Sequence, residues 1–273
     1  MLEIKNLSKN YKEIKAVKNL SLKLKEGEIF GFIGPNGAGK STTIRCIMNL
    51  INKTNGKILI DGKEFNKNNV EIKKLIGYLP SEINLYDDLK VKQILDYHES
   101  FYDNIHENRK KLVKKLDLDE SKYIEDLSLG NLKKLGIILA LMHDPKIIIL
   151  DEATSALDPI VQNTFFEILK EEKEKGKTIF YSTHILSEVS KICDRVGIIK
   201  DGRLLKVEDV KELQNKNLLN IKLQSKELSK IKEDLNIKEE IINDTLSFKI
   251  DEDINKILIE EPSLEDIFYH YYK

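Results

Sequence analysis

Cysteine is scarce and tryptophan is absent in this chain of 273 residues. The two cysteines, Cys46 and Cys193, are too few for the disulfide framework of a small secreted domain. Both lie among apolar residues, and we expect them to be small core side chains in a reducing compartment.

Long apolar runs are also absent. The longest extends from about Leu135 to Met142, whereas about 20 apolar residues are needed to cross a bilayer. No signal-peptide pattern precedes the first strand pattern, which starts at Leu2. We therefore expect a soluble chain, so that any membrane-spanning part of its assembly would be another polypeptide.

Neither sign of charge dominates, because 45 basic and 46 acidic residues give a net charge of −1. A balanced charge favours neither nucleic acid nor an anionic membrane surface as a partner, and we expect no nucleic acid. No internal repeat is visible, and the length fits one large domain with a smaller appendage.

A glycine-rich segment follows the apolar run 29–33 and leads into a helical pattern at 42–47. It fits the P-loop pattern GxxxxGK[ST] in its strand–loop–helix context, which makes a chance glycine-rich turn a weak alternative. Glycines let successive backbone N–H groups point at phosphate oxygens at the positive end of a helix. Lys40 would reach the β- and γ-phosphates, and the Ser41 hydroxyl would bind Mg²⁺. The predicted nucleotide-binding residues are Gly34, Pro35, Asn36, Gly37, Ala38, Gly39, Lys40, Ser41 and Thr42.

Two adjacent acids end a second apolar run, at 147–150 after Lys146. The run is typical of a strand buried on both faces of a parallel sheet. Asp151 would hold Mg²⁺, and Glu152 would polarise the attacking water and accept its proton. An acid pair that only follows a core strand is the alternative, and the P-loop upstream weakens it.

Three further motifs occur in a specific order: 126–131 before Asp151, Ser155-Ala156-Leu157-Asp158 after it, and Ser182-Thr183-His184 after the strand pattern 178–181. With the two phosphate-site motifs, this order resembles the ATP-binding-cassette (ABC) ATPase family over about residues 1–210.

The resemblance implies roles for individual residues. Tyr11 would stack on adenine, and an ordinary strand tyrosine is the alternative. His184 would sense the γ-phosphate and help to hold the attacking water. Ser128, Gly130 and Asn131 would contact the ATP of an opposite subunit, and Asp158 belongs to the dimer loop. Two cassettes would then sandwich two MgATP molecules and loosen after hydrolysis.

Some positions depart from the family pattern. The signature has Leu129 and Asn131 where glycine and glutamine are usual, as in drug- and antibiotic-export cassettes. Ser81 replaces the glutamine that reaches Mg²⁺ and water, and the next residue, Glu82, could bind the metal in its place. The tail at 261–268 also resembles that of export cassettes.

The resemblance implies an α/β fold: a P-loop cassette with a mostly parallel core sheet, an antiparallel β-subdomain, a helical subdomain and a small α+β appendage. We predict an ATPase domain over 1–215, with its helical subdomain at about 83–145, and an accessory domain over 216–273. Predicted strands cover 2–6, 17–24 and the 57–63 hairpin, and predicted helices cover 91–102, 105–116 and 132–142. In the appendage we predict an alternating run at 218–223, a charged helix at 226–235, short strands around 243–244 and a last helix at 267–272.

These patterns predict the ATP-hydrolysing subunit of an ABC transporter, most simply an exporter of a drug, antibiotic or other small molecule. Its partners would be integral membrane permease subunits and a second cassette, identical or not, at the cytoplasmic face of the cell membrane. A regulatory cassette with weak hydrolysis and a soluble ABC protein that acts on ribosomes or DNA are the alternatives.

Overall fold

The computed structural model describes residues 1–66, 68–103, 105–214, 220–225 and 254–260. The chain divides into two compact units, Met1–Val210 and Lys211–Lys273. In chain order the elements are β1 (Leu2–Tyr11), β2 (Ile14–Lys23), β3 (Ile29–Ile33), α1 (Lys40–Ile47), β4 (Asn55–Ile60), β5 (Lys63–Glu64), α2 (Val70–Lys74), β6 (Ile76–Leu79), α3 (Val91–Glu99), α4 (His106–Leu116), α5 (Leu129–Leu141), β7 (Ile147–Asp151), α6 (Pro159–Glu174), β8 (Thr178–Thr183), α7 (Leu186–Ile192), β9 (Arg195–Lys200), β10 (Arg203–Asp209), α8 (Val210–Gln214), β11 (Asn220–Ser225) and β12 (Ile254–Glu260).

A six-stranded sheet in the order β10-β9-β3-β8-β7-β6 forms the centre of the first unit. Its strands pair in parallel except for β10, which runs antiparallel to β9. Strands β3, β7 and β8 are buried along their whole length, as their continuous apolar sequences predict. The carboxyl ends of these three strands lie at one edge of the sheet, where open α/β sheets bind ligands.

A second, antiparallel sheet has the order β2-β1-β4-β5. The predicted hairpin is confirmed, because Asp61 and Gly62 turn the chain between β4 and β5 with positive φ angles of 49° and 75°. Strand β1 extends beyond the predicted end at Asn6. Its pairing is irregular there, and Asn6 has a φ of 50°. The strand continues past this irregularity, whereas the alternation in the sequence stops at Asn6.

The predicted helices of the segment 83–145 are present, with shifted ends. Helix α5 begins at Leu129, three residues before the predicted start at Leu132, because the Ser128 hydroxyl accepts the N–H of Asn131 and caps an extra turn. Helix α3 ends at Glu99, short of the predicted Tyr102.

Buried Arg109 on α4 connects this helical segment. Its guanidinium donates to Asp96 at 2.5 Å, to Glu99 at 2.7 Å and to Glu120 at 2.5 Å. One cation thus joins α4 to α3 and to the loop that follows α4.

In the second unit, β11 and β12 form an antiparallel pair, with Asn220 opposite Glu260. Strand β11 confirms residues 220–223 of the alternating run predicted at 218–223, whereas sequence analysis did not predict β12. The predicted helix at 226–235, the strands around 243–244 and the helix at 267–272 lie outside the described residues. The predicted domain boundary at 215–216 also lies there and stays a prediction. Among the helices of the described residues, none has both the length and the apolar character that crossing a membrane requires.

Candidate nucleotide-binding site

The glycine-rich loop connects β3 to the N-terminus of α1, as the P-loop pattern predicts. Gly39 caps α1 with a φ of 106°, and a Cβ atom there would lie 2.6 Å from the carbonyl oxygen of Ala16. A Cβ at Gly34 would lie 2.3 Å from the carbonyl oxygen of Ile199. Both positions therefore need glycine, for its backbone freedom at Gly39 and for close packing at Gly34.

Lys40 lies inside this loop. It is 5% exposed, and its ammonium donates to the carbonyl oxygens of Gly34 at 2.7 Å and Pro35 at 3.1 Å. Burial lowers the pKa of Lys40, and the carboxylates of Glu152 and Asp151 oppose that change. The loop thus encloses an ammonium group, while Pro35, Asn36 and Gly37 at its tip remain exposed.

Asp151 is the last residue of β7 and is 1% exposed. It pairs in register with Ser182 on β8. Within the part of the chain that the structure describes, neither the buried Asp151 Oδ1 nor the buried Ser182 Oγ has a hydrogen-bond partner. Burial raises the pKa of Asp151, and the hydroxyls of Ser41 and Ser182, which lie close to this carboxyl group, oppose that rise. Buried oxygens that lack partners, beside a further hydroxyl, suit a hard cation such as Mg²⁺.

Glu152 and His184 meet at the same edge of the sheet. Nδ1 of His184 lies 3.2 Å from a carboxylate oxygen of Glu152, and both side chains reach solvent. Glu152 has a φ of 48°, and its N–H donates to the carbonyl oxygen of Ser182 at 3.0 Å. Backbone strain of this kind is common at functional sites.

A buried carboxylate that sequence analysis missed supports the His184 segment. Glu188 on α7 accepts three hydroxyl hydrogen bonds, from Thr154 at 2.5 Å, Tyr181 at 2.7 Å and Thr183 at 2.6 Å. It therefore joins the residues that flank Glu152 to those that flank His184. The only sequence signal was an acid within a short helical pattern, which is usually a solvated residue.

Ser128 and Gly130 lie at the start of α5. The Ser128 hydroxyl accepts the N–H of Asn131 at 3.3 Å, and a Cβ at Gly130 would lie 3.0 Å from the carbonyl oxygen of Ala156. Leu129 is 74% exposed, so the substitution for glycine places an apolar side chain on the surface rather than in the core.

The segment after β6 reaches the site through its backbone. The ammonium of Lys133, on α5, donates to the carbonyl oxygen of Ser81 at 2.9 Å and to that of Glu152 at 3.4 Å. The side chain of Glu82 is exposed, and Ser81, Glu82, Lys133 and Ser155 line one cavity of about 340 Å³. Sequence analysis did not predict a role for Lys133.

The contacts of Tyr11 and Asp158 are with residues close to them in the sequence. Tyr11 ends β1 and is 42% exposed, and the ammonium of Lys9 lies 4.6 Å from its ring centroid. The Asp158 carboxylate accepts the N–H groups of Ile160 and Val161 at 2.9 and 3.0 Å. Asp158 is therefore the N-cap of α6, a structural role that sequence analysis did not assign to it.

Comparison with known proteins identifies several relatives. The family described as ABC transporter matches residues 17–155, about half of the chain. The linearmycin resistance ATP-binding protein LnrL of Bacillus subtilis is 38% identical over 213 residues, which are 76% of this chain and 68% of the relative. The uncharacterized ABC transporter ATP-binding protein MJ1023 of Methanocaldococcus jannaschii is 35% identical over 271 residues, 95% of this chain and 98% of the relative. The bacitracin transport ATP-binding protein BcrA of Bacillus licheniformis is 36% identical over 239 residues, covering 84% and 76%.

Solved structures show the same fold. The ATP-binding subunit of an ABC transporter superimposes with a TM-score of 0.73 at 29% identity, over 78% of this chain and 92% of that one. The dimeric post-hydrolysis cassette MJ0796, bound to ADP and Pi, gives a TM-score of 0.68 at 30% identity, over 77% and 99%. These similarities agree with the loop, carboxylates and signature described above, and the predicted P-loop cassette fold is confirmed. The chain belongs to the ABC transporter family and is an ATP-binding and ATP-hydrolysing subunit.

Proposed function

We propose that this chain couples MgATP hydrolysis to the export of a drug, antibiotic or other small molecule through separate membrane permease subunits. The observation that carries the hydrolytic part is the meeting of Lys40, Asp151, Glu152 and His184 at one edge of the central sheet.

ATP binding is assigned to the loop from Gly34 to Thr42. Its backbone N–H groups and the α1 N-terminus attract phosphate oxygens, and Lys40 exchanges its carbonyl partners for the β- and γ-phosphates. The exposed ring of Tyr11 offers an aromatic face for adenine.

Mg²⁺ is assigned to Ser41 and Asp151. The buried Asp151 oxygen without a partner in the described chain, together with the Ser41 hydroxyl, fits a hard cation. When bound, Mg²⁺ would neutralise charge on the β- and γ-phosphates. Glu82, which is exposed, stays a prediction as a further ligand.

Hydrolysis is assigned to Glu152 and His184. The Glu152 carboxylate would accept a proton from the attacking water, as a general base does. His184, 3.2 Å from that carboxylate, would hold its orientation and hydrogen-bond to the γ-phosphate. This close contact supports an active cassette over the weakly hydrolysing alternative.

The second partner is another cassette, identical or different. Exposed Ser128 and half-buried Gly130 and Asn131 would bind the ATP of the opposite subunit, with Asp158 in the adjacent dimer loop. The dimeric cassette MJ0796 in its ADP and Pi state supports this arrangement. ATP would then join two subunits, and its hydrolysis would weaken their association.

Cargo and location are inferred from relatives. LnrL is named for linearmycin resistance and BcrA for bacitracin transport. We infer that this chain likewise serves an exporter, bound peripherally to permease subunits on the cytoplasmic face of the membrane.

The first test is Glu152→Gln in the full chain. Loss of the base should lower kcat for MgATP by about 10²–10⁴-fold while ATP still binds, because the phosphate contacts remain. Phosphate release would be measured beside equilibrium binding of ATP. Hydrolysis at the wild-type rate by Glu152→Gln would refute the assignment of the base.

The second test is purification of the tagged chain from gently solubilised membranes. A stoichiometric integral membrane protein is the expected partner. Ribosomal proteins or nucleic acid in its place would contradict the transporter function and favour a soluble role.

A further inference from the structure

Lys133 joins three segments of the nucleotide-binding site. It lies in the second turn of α5, is 4% exposed, and donates from Nζ to the carbonyl oxygens of Ser81 and Glu152 at 2.9 and 3.4 Å. Helix α5 begins with the signature, Ser81 follows β6, and Glu152 follows β7. A single ammonium group therefore connects the signature helix to the backbone of the proposed base.

The ammonium of Lys133 also interacts electrostatically with the carboxylates of this site. Burial lowers the pKa of Lys133, and the carboxylates of Asp151 and Glu152 oppose that change. The same two carboxylates act on Lys40. Two buried ammonium groups thus flank two carboxylates, and the P-loop pattern accounts for only one of them.

The contact matters because Glu152 is held in an unusual conformation. Its φ of 48° lies in the left-handed region, which a side chain with a Cβ rarely adopts without support from its surroundings. Its N–H is bound by Ser182, and its carbonyl oxygen accepts from Lys133 and, at 2.9 Å, from the Ser155 hydroxyl. Without Lys133, the Glu152 peptide would lose its only cationic hydrogen-bond donor among the described residues.

We propose that Lys133 is a positioning residue: by binding the carbonyl oxygen of Glu152, it orients the Glu152 side chain. Because Lys133 lies on α5, this orientation depends on the position of the helix that carries the signature. The inference rests on the proposed role of Glu152 as the base. Ser81 stands where the family usually has a glutamine, and its side chain is too short to extend to the reacting groups. In this chain the backbone of Ser81 is linked to Glu152 through Lys133 instead.

The test compares three variants of the full chain: Lys133→Met, which removes charge and donor at similar length, Lys133→Arg, which keeps both, and Lys134→Met as the matched control. Lys134 is the next residue on α5, and its ammonium donates to the carbonyl oxygen of Asp117 at 3.4 Å. Each protein would be assayed for steady-state MgATP hydrolysis, for ATP binding and for its melting temperature.

Lys133→Met should lower kcat about ten- to a hundredfold, because a base misplaced by about 1 Å loses that much rate. KM and ATP affinity should stay within about threefold of wild type, since the phosphate loop is intact. Lys133→Arg should recover most of kcat, and Lys134→Met should behave as wild type. This separation of kcat from KM, with recovery by arginine, is not expected of a purely structural residue.

A kcat for Lys133→Met within about twofold of an active wild type would overturn the inference. Equal losses of kcat and ATP affinity that Lys133→Arg does not recover would also overturn it, since they indicate general damage to the fold. A wild-type chain that binds ATP without hydrolysing it would instead refute the proposed function. The wild-type hydrolysis rate is therefore measured before any variant is compared.

Discussion

Replacement of Glu188 by alanine tests whether one buried carboxylate holds the Glu152 and His184 segments together. Glu188 is 5% exposed and accepts hydrogen bonds from Thr154, Tyr181 and Thr183 at 2.5–2.7 Å. Thr154 follows Glu152 by two residues and Thr183 precedes His184 by one. Loss of the carboxylate would leave three hydroxyls, all of buried residues, without this acceptor.

The magnitude follows from these three bonds. A hydrogen bond to a charged group contributes about 1.5–3 kcal/mol, which gives a simple sum of about 4.5–9 kcal/mol. The sum is too large because all three donors share one acceptor, and because water can enter the space that alanine leaves. We expect a loss of about 3–4 kcal/mol in the free energy of unfolding. For a unit of about 200 residues, each kcal/mol lowers Tm by about 2–4 °C, so the expected shift is about 10 °C.

Thermal unfolding of the full chain and steady-state MgATP hydrolysis are the assays. Glu188→Gln keeps the shape and one acceptor oxygen, so its Tm should fall between those of wild type and Glu188→Ala. Glu167→Ala is the matched control, since Glu167 is an exposed glutamate on α6 of the same unit. Below the Tm of each variant, kcat should also fall for Glu188→Ala, because the His184 segment loses its anchor. A Tm for Glu188→Ala within about 2 °C of wild type would refute the reasoning.

Two further predictions concern the phosphate loop and the thiols. Gly39→Ala should weaken ATP binding at least about tenfold, because φ is 106° and the new Cβ would lie 2.6 Å from the Ala16 carbonyl oxygen; an unchanged Kd in a binding titration would contradict this. Burial raises the pKa of Cys46 to about 11 and that of Cys193 well above its usual value, so little thiolate is present at about pH 8. Iodoacetamide should therefore label both thiols slowly in the native chain and rapidly in urea, and fast native labelling would contradict their burial.

Sequence patterns predicted the position in the fold of those candidate residues whose signal is local. The glycine-rich loop, the acids at the end of β7 and the histidine after β8 each lie at the carboxyl end of a buried strand, as the apolar runs before them predict, and their roles stay predictions. The prediction of β1 ended too early at Asn6, because a break in alternation does not distinguish a strand end from an irregularity within a strand.

The contacts that hold the site together were not predictable in this way. Lys133 lies 52 residues from Ser81 and 19 from Glu152 in sequence, and Glu188 lies 34 residues from Thr154. A lysine or glutamate on a helix is usually solvated, and only the packing of α5 and α7 against the sheet shows that these two are buried. For Asp158 the signal is local, since an aspartate before proline is typical of a helix start.

The departures from the family pattern are better understood together than one by one. Ser81 considered alone removes a long polar side chain, and this favours a weakly hydrolysing cassette. In the folded chain the carbonyl oxygen of Ser81 is bound by Lys133, whose ammonium also reaches the Glu152 carbonyl. Since α5 carries both the signature and Lys133, movement of this helix and the orientation of Glu152 are linked through one buried charge. The short side chain of Ser81 is therefore compatible with normal hydrolysis as long as Lys133 is retained on α5.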